Sequence, residues 1–121
     1  TCGNGFDPFS TGAVCPHCSA RRSEIPCPHC GPRPELEFRY AGEAHIARPA
    51  DPMKTSDDEW AQYLYFRSNP KGVHIERWRH ISGCARFFNC VRDTVSDKIL
   101  KTYKAGEPRA DVEALKKEAG L

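Results

Sequence analysis

Two short spacings constrain this chain more than anything else in it. One is Cys27-Pro28-His29-Cys30; the other, about fifty residues later, is His80-Ile81-Ser82-Gly83-Cys84. Two cysteines with two residues between them bring two donor atoms to one metal from a single tight turn. A histidine and a cysteine with three residues between them do the same. Three sulfurs and one imidazole make a closed tetrahedral set for zinc. A closed set leaves no position for water or substrate, so a site of this kind is structural, and the chemistry is expected on another polypeptide.

The spacing admits a rival. Cys15-Pro16-His17-Cys18 is a second Cys-x-x-Cys pair, and the stretch between it and Cys27 is long enough to close around one ion. Cys15, Cys18, Cys27 and Cys30 would then be the ligands, and spacing alone leaves the two sets nearly even. A redox role for Cys27 and Cys30 is disfavoured, because such pairs open a helix and Gly31-Pro32-Arg33-Pro34 does not start one cleanly. His80 and Cys84 could be a base and a nucleophile, but a shared metal is simpler. Cys2 and Cys90 read as small unligated thiols. His17 and His29 read as exposed histidines, and His45 and His74 as strand residues. The chain has no phosphate-binding glycine fingerprint and no Gly-x-Ser-x-Gly. No catalytic residue is expected.

Composition fits a metal-supported domain. The chain has 121 residues, 39% hydrophobic, with 10 prolines and 9 glycines. That describes one domain with a small core and many turns, which a metal or a partner helps to stabilise. Seven cysteines, an odd number, suit a reducing compartment better than a disulfide framework, so a cytoplasmic location is expected. A net charge of +2 does not mark a nucleic-acid or membrane surface. No apolar run approaches the roughly 20 residues of a membrane span. Thr1 to Gly5 has no leader pattern, and the missing initiator Met suggests removal of upstream residues.

Along the chain, residues 1–24 read as an irregular extension with Phe6 and Phe9 as its large apolar residues. Glu37 to Tyr40 alternates polar and apolar residues like a strand, and His45 to Ala47 reads as another. Residues 56–68 read as a helix, with a capping box of Ser56 and Glu59 and an apolar face of Trp60, Tyr63 and Leu64. Val73 to His80 and Arg86 to Asp93 read as an antiparallel hairpin, with Ile81-Ser82-Gly83 as its turn and Gly83 relieving the backbone there. Residues 94–104 are strand or helix, 105–108 a turn, and 110–119 a short surface helix. Arg77, Arg79, Arg86 and Arg92 lie near Trp78, Phe87 and Phe88, a pattern that suits a protein interface or, in a free-standing zinc ribbon, nucleic acid.

Several of these stretches together resemble one family. CPHCGPR from Cys27, EFRYAGEAH from Glu37, RPADP from Arg48, Trp60 with YLYFR from Tyr63, NPKG from Asn69, ERWRHISGC from Glu76, RDT from Arg92 and AGEPR from Ala105 look like the delta subunit of heterotetrameric sarcosine oxidase. The resemblance covers about two thirds of the chain, and residues 1–24 depart from it. It implies a small zinc-binding subunit beside alpha, beta and gamma subunits that hold FAD, FMN, NAD and a tetrahydrofolate site. It implies zinc on Cys27, Cys30, His80 and Cys84, which decides between the two ligand sets. The family's reaction is oxidative demethylation of sarcosine to glycine and hydrogen peroxide, the one-carbon unit leaving as formaldehyde or methylene-tetrahydrofolate. Related assemblies act on other N-methyl amino acids.

The expected architecture is an α+β, zinc-ribbon-like domain with an antiparallel hairpin and one or two short helices. Residues 25–109 would form the domain, 1–24 its extension and 110–121 a tail or short helix. The alternative function, a free-standing zinc ribbon on nucleic acid, belongs to a different class.

Overall fold

A computed structural model describes Gly5 and residues 24–121. The expectations for Cys2, Phe6, Phe9, Cys15, His17 and Cys18 fall outside the described residues. The fold is α+β. A two-stranded hairpin, β1 (Glu24–Cys27) and β2 (Gly31–Pro34), leads through a 3-10 turn at Glu35–Glu37 into a four-stranded antiparallel sheet. That sheet is ordered β3 (Arg39–Glu43), β4 (Val73–Arg79), β5 (Phe87–Asp93), β6 (Ile99–Lys104). Helix α1 (Asp57–Tyr65) lies between β3 and β4, and α2 (Val112–Ala119) follows β6.

The β4–β5 hairpin is the centre of the sheet. It pairs Val73 with Asp93 through to Arg79 with Phe87, without a slip. Strand alternation sends its side chains to two faces, and both faces are covered. On one, Phe88 and Cys90 pack with Ile25, Cys27 and Phe38, beside Trp78, Cys84 and Ile99. On the other, Val91 and Ile75 pack with Ala44 and Tyr103, beside Leu100, Val112 and Leu115. The β1–β2 hairpin thus covers one face and α2 the other. The undecided stretch 94–104 becomes a turn followed by β6, whose Thr102 hydroxyl donates to the Pro26 carbonyl and ties β6 to β1.

A buried carboxylate also stabilises the sheet. Glu76, 1% exposed, accepts two bonds from Arg92 and one from the Trp78 indole N–H at 2.8 Å. Pairing of this kind offsets the cost of burying a charge.

Both helices are capped by their own sequence. At α1 the Ser56 hydroxyl accepts from the Glu59 N–H, and the Glu59 carboxylate accepts from the Ser56 N–H, the expected capping box. The helix ends at Tyr65 rather than residue 68, because Phe66 is already extended. Its apolar face joins neither core cluster of the described residues: none of its residues is buried, and Leu64, Tyr65 and Phe66 are exposed. In α2, Asp111 caps the start and Gly120, left-handed at φ 73°, caps the end.

Two expectations about strands fail. His45 to Ala47 is not a strand: His45 has φ 59°, which breaks an extended run, and its Nε2 lies 2.6 Å from the Tyr103 hydroxyl. The strand expected over Glu37 to Tyr40 starts two residues later, at Arg39, because Glu37 belongs to the 3-10 turn. His74 does lie in a strand, as expected, and is buried. No helix among the described residues is long and apolar enough to cross a membrane.

Candidate metal centre

Two turns meet at one end of the sheet. The first is the link between β1 and β2, where Cys27 pairs across to Gly31. Gly31 has φ 84°, a backbone state that costs glycine nothing, and it lets the chain double back directly after Cys30. The second is the tip of the β4–β5 hairpin. There the His80 N–H donates to the Arg86 carbonyl at 3.1 Å, and the Ala85 N–H donates to the His80 carbonyl at 2.8 Å. The left-handed residue of this turn is Ala85, at φ 59°, and not Gly83 as the sequence suggested.

These turns bring together one ligand atom each from Cys27, Cys30, His80 and Cys84, all within 4.8 Å of one another. The Cys27 and Cys84 sulfurs are 3.8 Å apart, and the Cys84 sulfur is 3.6 Å from His80 Nδ1. Tetrahedral zinc with a Zn–S bond of about 2.3 Å and a Zn–N bond of about 2.0–2.1 Å places two sulfurs about 3.8 Å apart, and a sulfur and nitrogen about 3.6 Å apart. The donor set and its spacing therefore fit zinc. Cys27 and His80 are buried, Cys84 is partly so and Cys30 is exposed.

The surroundings favour a thiolate. Burial pushes the Cys84 thiol up, but hydrogen bonds from the Arg86 N–H, His80, Cys30 and Cys27 outweigh it and leave its pKa at about 7. Cys30 shifts the other way, through desolvation first and then its hydrogen bond with Cys84. One sulfur of the group thus gives up its proton more readily, and the thiolate is the form that binds metal.

Three residues around His80 were not singled out from sequence for this position. Phe38 stacks on the imidazole at 4.3 Å between ring centroids. Gly83 lies against the same ring: a Cβ there would fall 2.1 Å from Cε1 and 2.4 Å from Nε2. Glu37, 2% exposed, lies 3.2 Å from Nε2. Their sequence separation from His80, 43 residues for Glu37, hides the first and third from local patterns. Gly83 was visible, but it was read for backbone freedom, when its missing side chain is what the site uses.

Cys90 is fully buried beside the group, with its thiol pushed up to about 12 by burial and by Glu76. It is a core thiol outside the four-residue group. His29 lies outside the four-residue group and is 3.2 Å from an Arg86 nitrogen.

Comparison with known proteins gives the chain a family. The model of the sarcosine oxidase, delta subunit family matches residues 24–105. The sarcosine oxidase subunit delta of Corynebacterium sp. (strain U-96) is 52% identical over 90 residues, which are 74% of this chain and 91% of that protein. The one from Arthrobacter sp is 51% identical over 88 residues, 73% of this chain and 90% of its own. The one from Rhizobium meliloti (strain 1021) is 43% identical over 90 residues, 74% and 95%. With a match across most of its length and relatives this similar, the chain belongs to the sarcosine oxidase delta subunit family.

Proposed function

We propose that this chain is the accessory, non-catalytic subunit of a heterotetrameric, flavin-dependent sarcosine (N-methyl amino acid) oxidase or dehydrogenase. In this reading Cys27, Cys30, His80 and Cys84 hold one zinc. The observation that carries it is the meeting of four soft and borderline donors from two separate hairpins. Zinc there supplies no reaction chemistry. It cross-links the β1–β2 hairpin to the tip of β4–β5, and binding energy becomes folding energy. FAD, FMN, NAD and tetrahydrofolate belong to alpha, beta and gamma subunits, where sarcosine is demethylated to glycine, hydrogen peroxide and formaldehyde or methylene-tetrahydrofolate. Residues 25–109 form the working domain, with 1–24 an added arm and 110–121 the tail that carries α2. Three cysteines gathered at one site with no disulfide among them fit a cytoplasmic location.

The exposed surface supports docking to protein. Leu64, Tyr65 and Phe66 on and beside α1 are exposed, and Phe87 lies beneath the guanidiniums of Arg77 and Arg79 at 5.2 and 5.3 Å. Aromatics with arginine are favoured in protein interfaces. The nucleic-acid reading loses ground because the arginines are engaged at home. Arg92 binds Glu76 and Asp97, Arg77 donates to the Ala41 carbonyl, and Arg79 donates to the Ala85 carbonyl.

The deciding experiment is purification of the native assembly with mass, zinc and flavin analysis, alongside the isolated chain. A yellow complex of larger chains containing this one is expected. The isolated chain should carry one zinc, no flavin and no sarcosine-dependent peroxide production. Peroxide from the isolated chain, or a native chain without larger partners, overturns the proposal.

A further inference from the structure

The imidazole of His80 has two nitrogens, and the fold treats them differently. Nδ1 faces the sulfurs, 3.6 Å from Cys84. Nε2 faces away from them, 3.2 Å from Glu37 Oε1. A carboxylate only accepts hydrogen bonds, so the nitrogen facing it must carry the proton. That leaves the Nδ1 lone pair for a metal. We propose that Glu37, held by Arg33, is a positioning residue for the metal centre: it fixes His80 as the Nε2–H tautomer and aims Nδ1 at the ion. The inference rests on the zinc reading above and goes beyond it by naming what orients the histidine and by how much affinity should depend on it.

Three observations support it. First, Glu37 is almost wholly buried, where a carboxylate needs specific partners to offset its desolvation. Second, its partners are the right ones. Arg33 Nε lies 3.0 and 3.2 Å from the two carboxylate oxygens, and Arg33 Nη2 lies 3.1 Å from Oε1. Oε1 is therefore shared between the guanidinium and the imidazole. Third, the backbone is pinned separately, because the Glu37 carbonyl accepts from the Ser82 N–H at 3.1 Å. A change of the Glu37 side chain thus leaves the turn its main-chain tie to the hairpin tip.

The arrangement links the two half-sites through protein alone. Arg33 sits on β2, just after Cys30, and His80 sits at the tip of β4–β5. Phe38, stacked on the ring, and Gly83, against it, hold the imidazole in the same orientation. Outer partners of this kind typically change metal affinity by about 10–100-fold when removed.

The test uses the full chain loaded with zinc. Long-range proton–nitrogen NMR of the His80 ring reads which nitrogen is metallated, and competition with a chelator of known affinity reads the zinc Kd. The wild type should show Nδ1 bound to metal and Nε2 protonated. Glu37→Leu should weaken zinc binding by about 10–100-fold. Glu37→Gln, which keeps an acceptor oxygen, should recover most of that loss, and Arg33→Met should fall between the two. Should Glu37→Leu fail to fold, the wild-type ring assignment and the Glu37→Gln affinity still decide. Metal bound through Nε2, wild-type affinity in Glu37→Leu, or Glu37→Gln as weak as Glu37→Leu each overturns the inference. A wild-type chain that binds no zinc overturns the metal reading itself, whereas zinc on Nδ1 with an affinity indifferent to Glu37 overturns this inference alone.

Discussion

Gly83 and His80 are in direct contact: a methyl group added at Gly83 would lie 2.1 to 2.6 Å from three atoms of the imidazole. The ring cannot easily yield, because it is 1% exposed and Phe38 stacks on it. Gly83→Ala should therefore cost about 1–3 kcal/mol through overpacking and misplace Nδ1. Zinc content and the thermal unfolding midpoint should both fall. Wild-type values for both would show that the turn adjusts freely.

Cys84→Ser and Cys90→Ser separate ligation from packing. Serine keeps its proton where zinc wants a thiolate, so Cys84→Ser should lose the metal. Structural zinc is worth on the order of 10 kcal/mol, against a total stability of about 5–15 kcal/mol, so this variant should unfold or fail to assemble. Cys90→Ser places a hydroxyl in a fully buried site and should cost about 1–3 kcal/mol while keeping its zinc. Metal analysis with denaturation of both variants checks this. Zinc retained in Cys84→Ser removes it from the ligand set.

Deleting residues 1–23 should leave one zinc per chain, since the four converging donors all lie in 27–84. Assembly with partner subunits should weaken if Phe6 and Phe9 dock there. Loss of zinc on this deletion would bring Cys15 and Cys18 into the site.

Asp93 supplies a pH test. The Ser96 hydroxyl, against the opposing effect of burial and helped by the Ser96 and Val95 N–H groups and Arg92, holds its carboxyl below the usual range. A depressed folded pKa adds stability above the unfolded value of about 3.9, and that stability fades as pH falls through the folded value. Asp93→Asn should thus be less stable than wild type at neutral pH, and the gap should close in acid. Denaturation of both proteins across pH reads it. A gap that persists unchanged into strong acid would assign the effect to shape rather than charge.

The parts legible in the sequence are those whose causes are local. Ser56 and Glu59 announce the start of α1, and two strand-like runs around the Ile81-Ser82-Gly83 turn announce β4 and β5. The β1–β2 hairpin was hidden because Glu24–Cys27 and Gly31–Pro34 are four residues each, with three prolines among them. His45 leaves the strand pattern for a tyrosine 58 residues away. The four donors were legible as a candidate set by type and spacing. The shell around His80 was not, because Glu37 and Phe38 reach it only through the fold.

The two faces of β5 also bear on how the protein is made. Phe88 and Cys90 share their cluster with Ile25 and meet Ile99; Val91 shares its own with Ala44 and Tyr103 and meets Leu115. Both faces wait on β6: Ile99 joins the first cluster and Tyr103 the second. A nascent chain that has reached only Lys98 has no β6, so β5 is its bare edge and Val91 lacks Tyr103. Such edges recruit other chains. Pairing of β6 with β5 therefore sets how long the growing polypeptide stays exposed to mispairing.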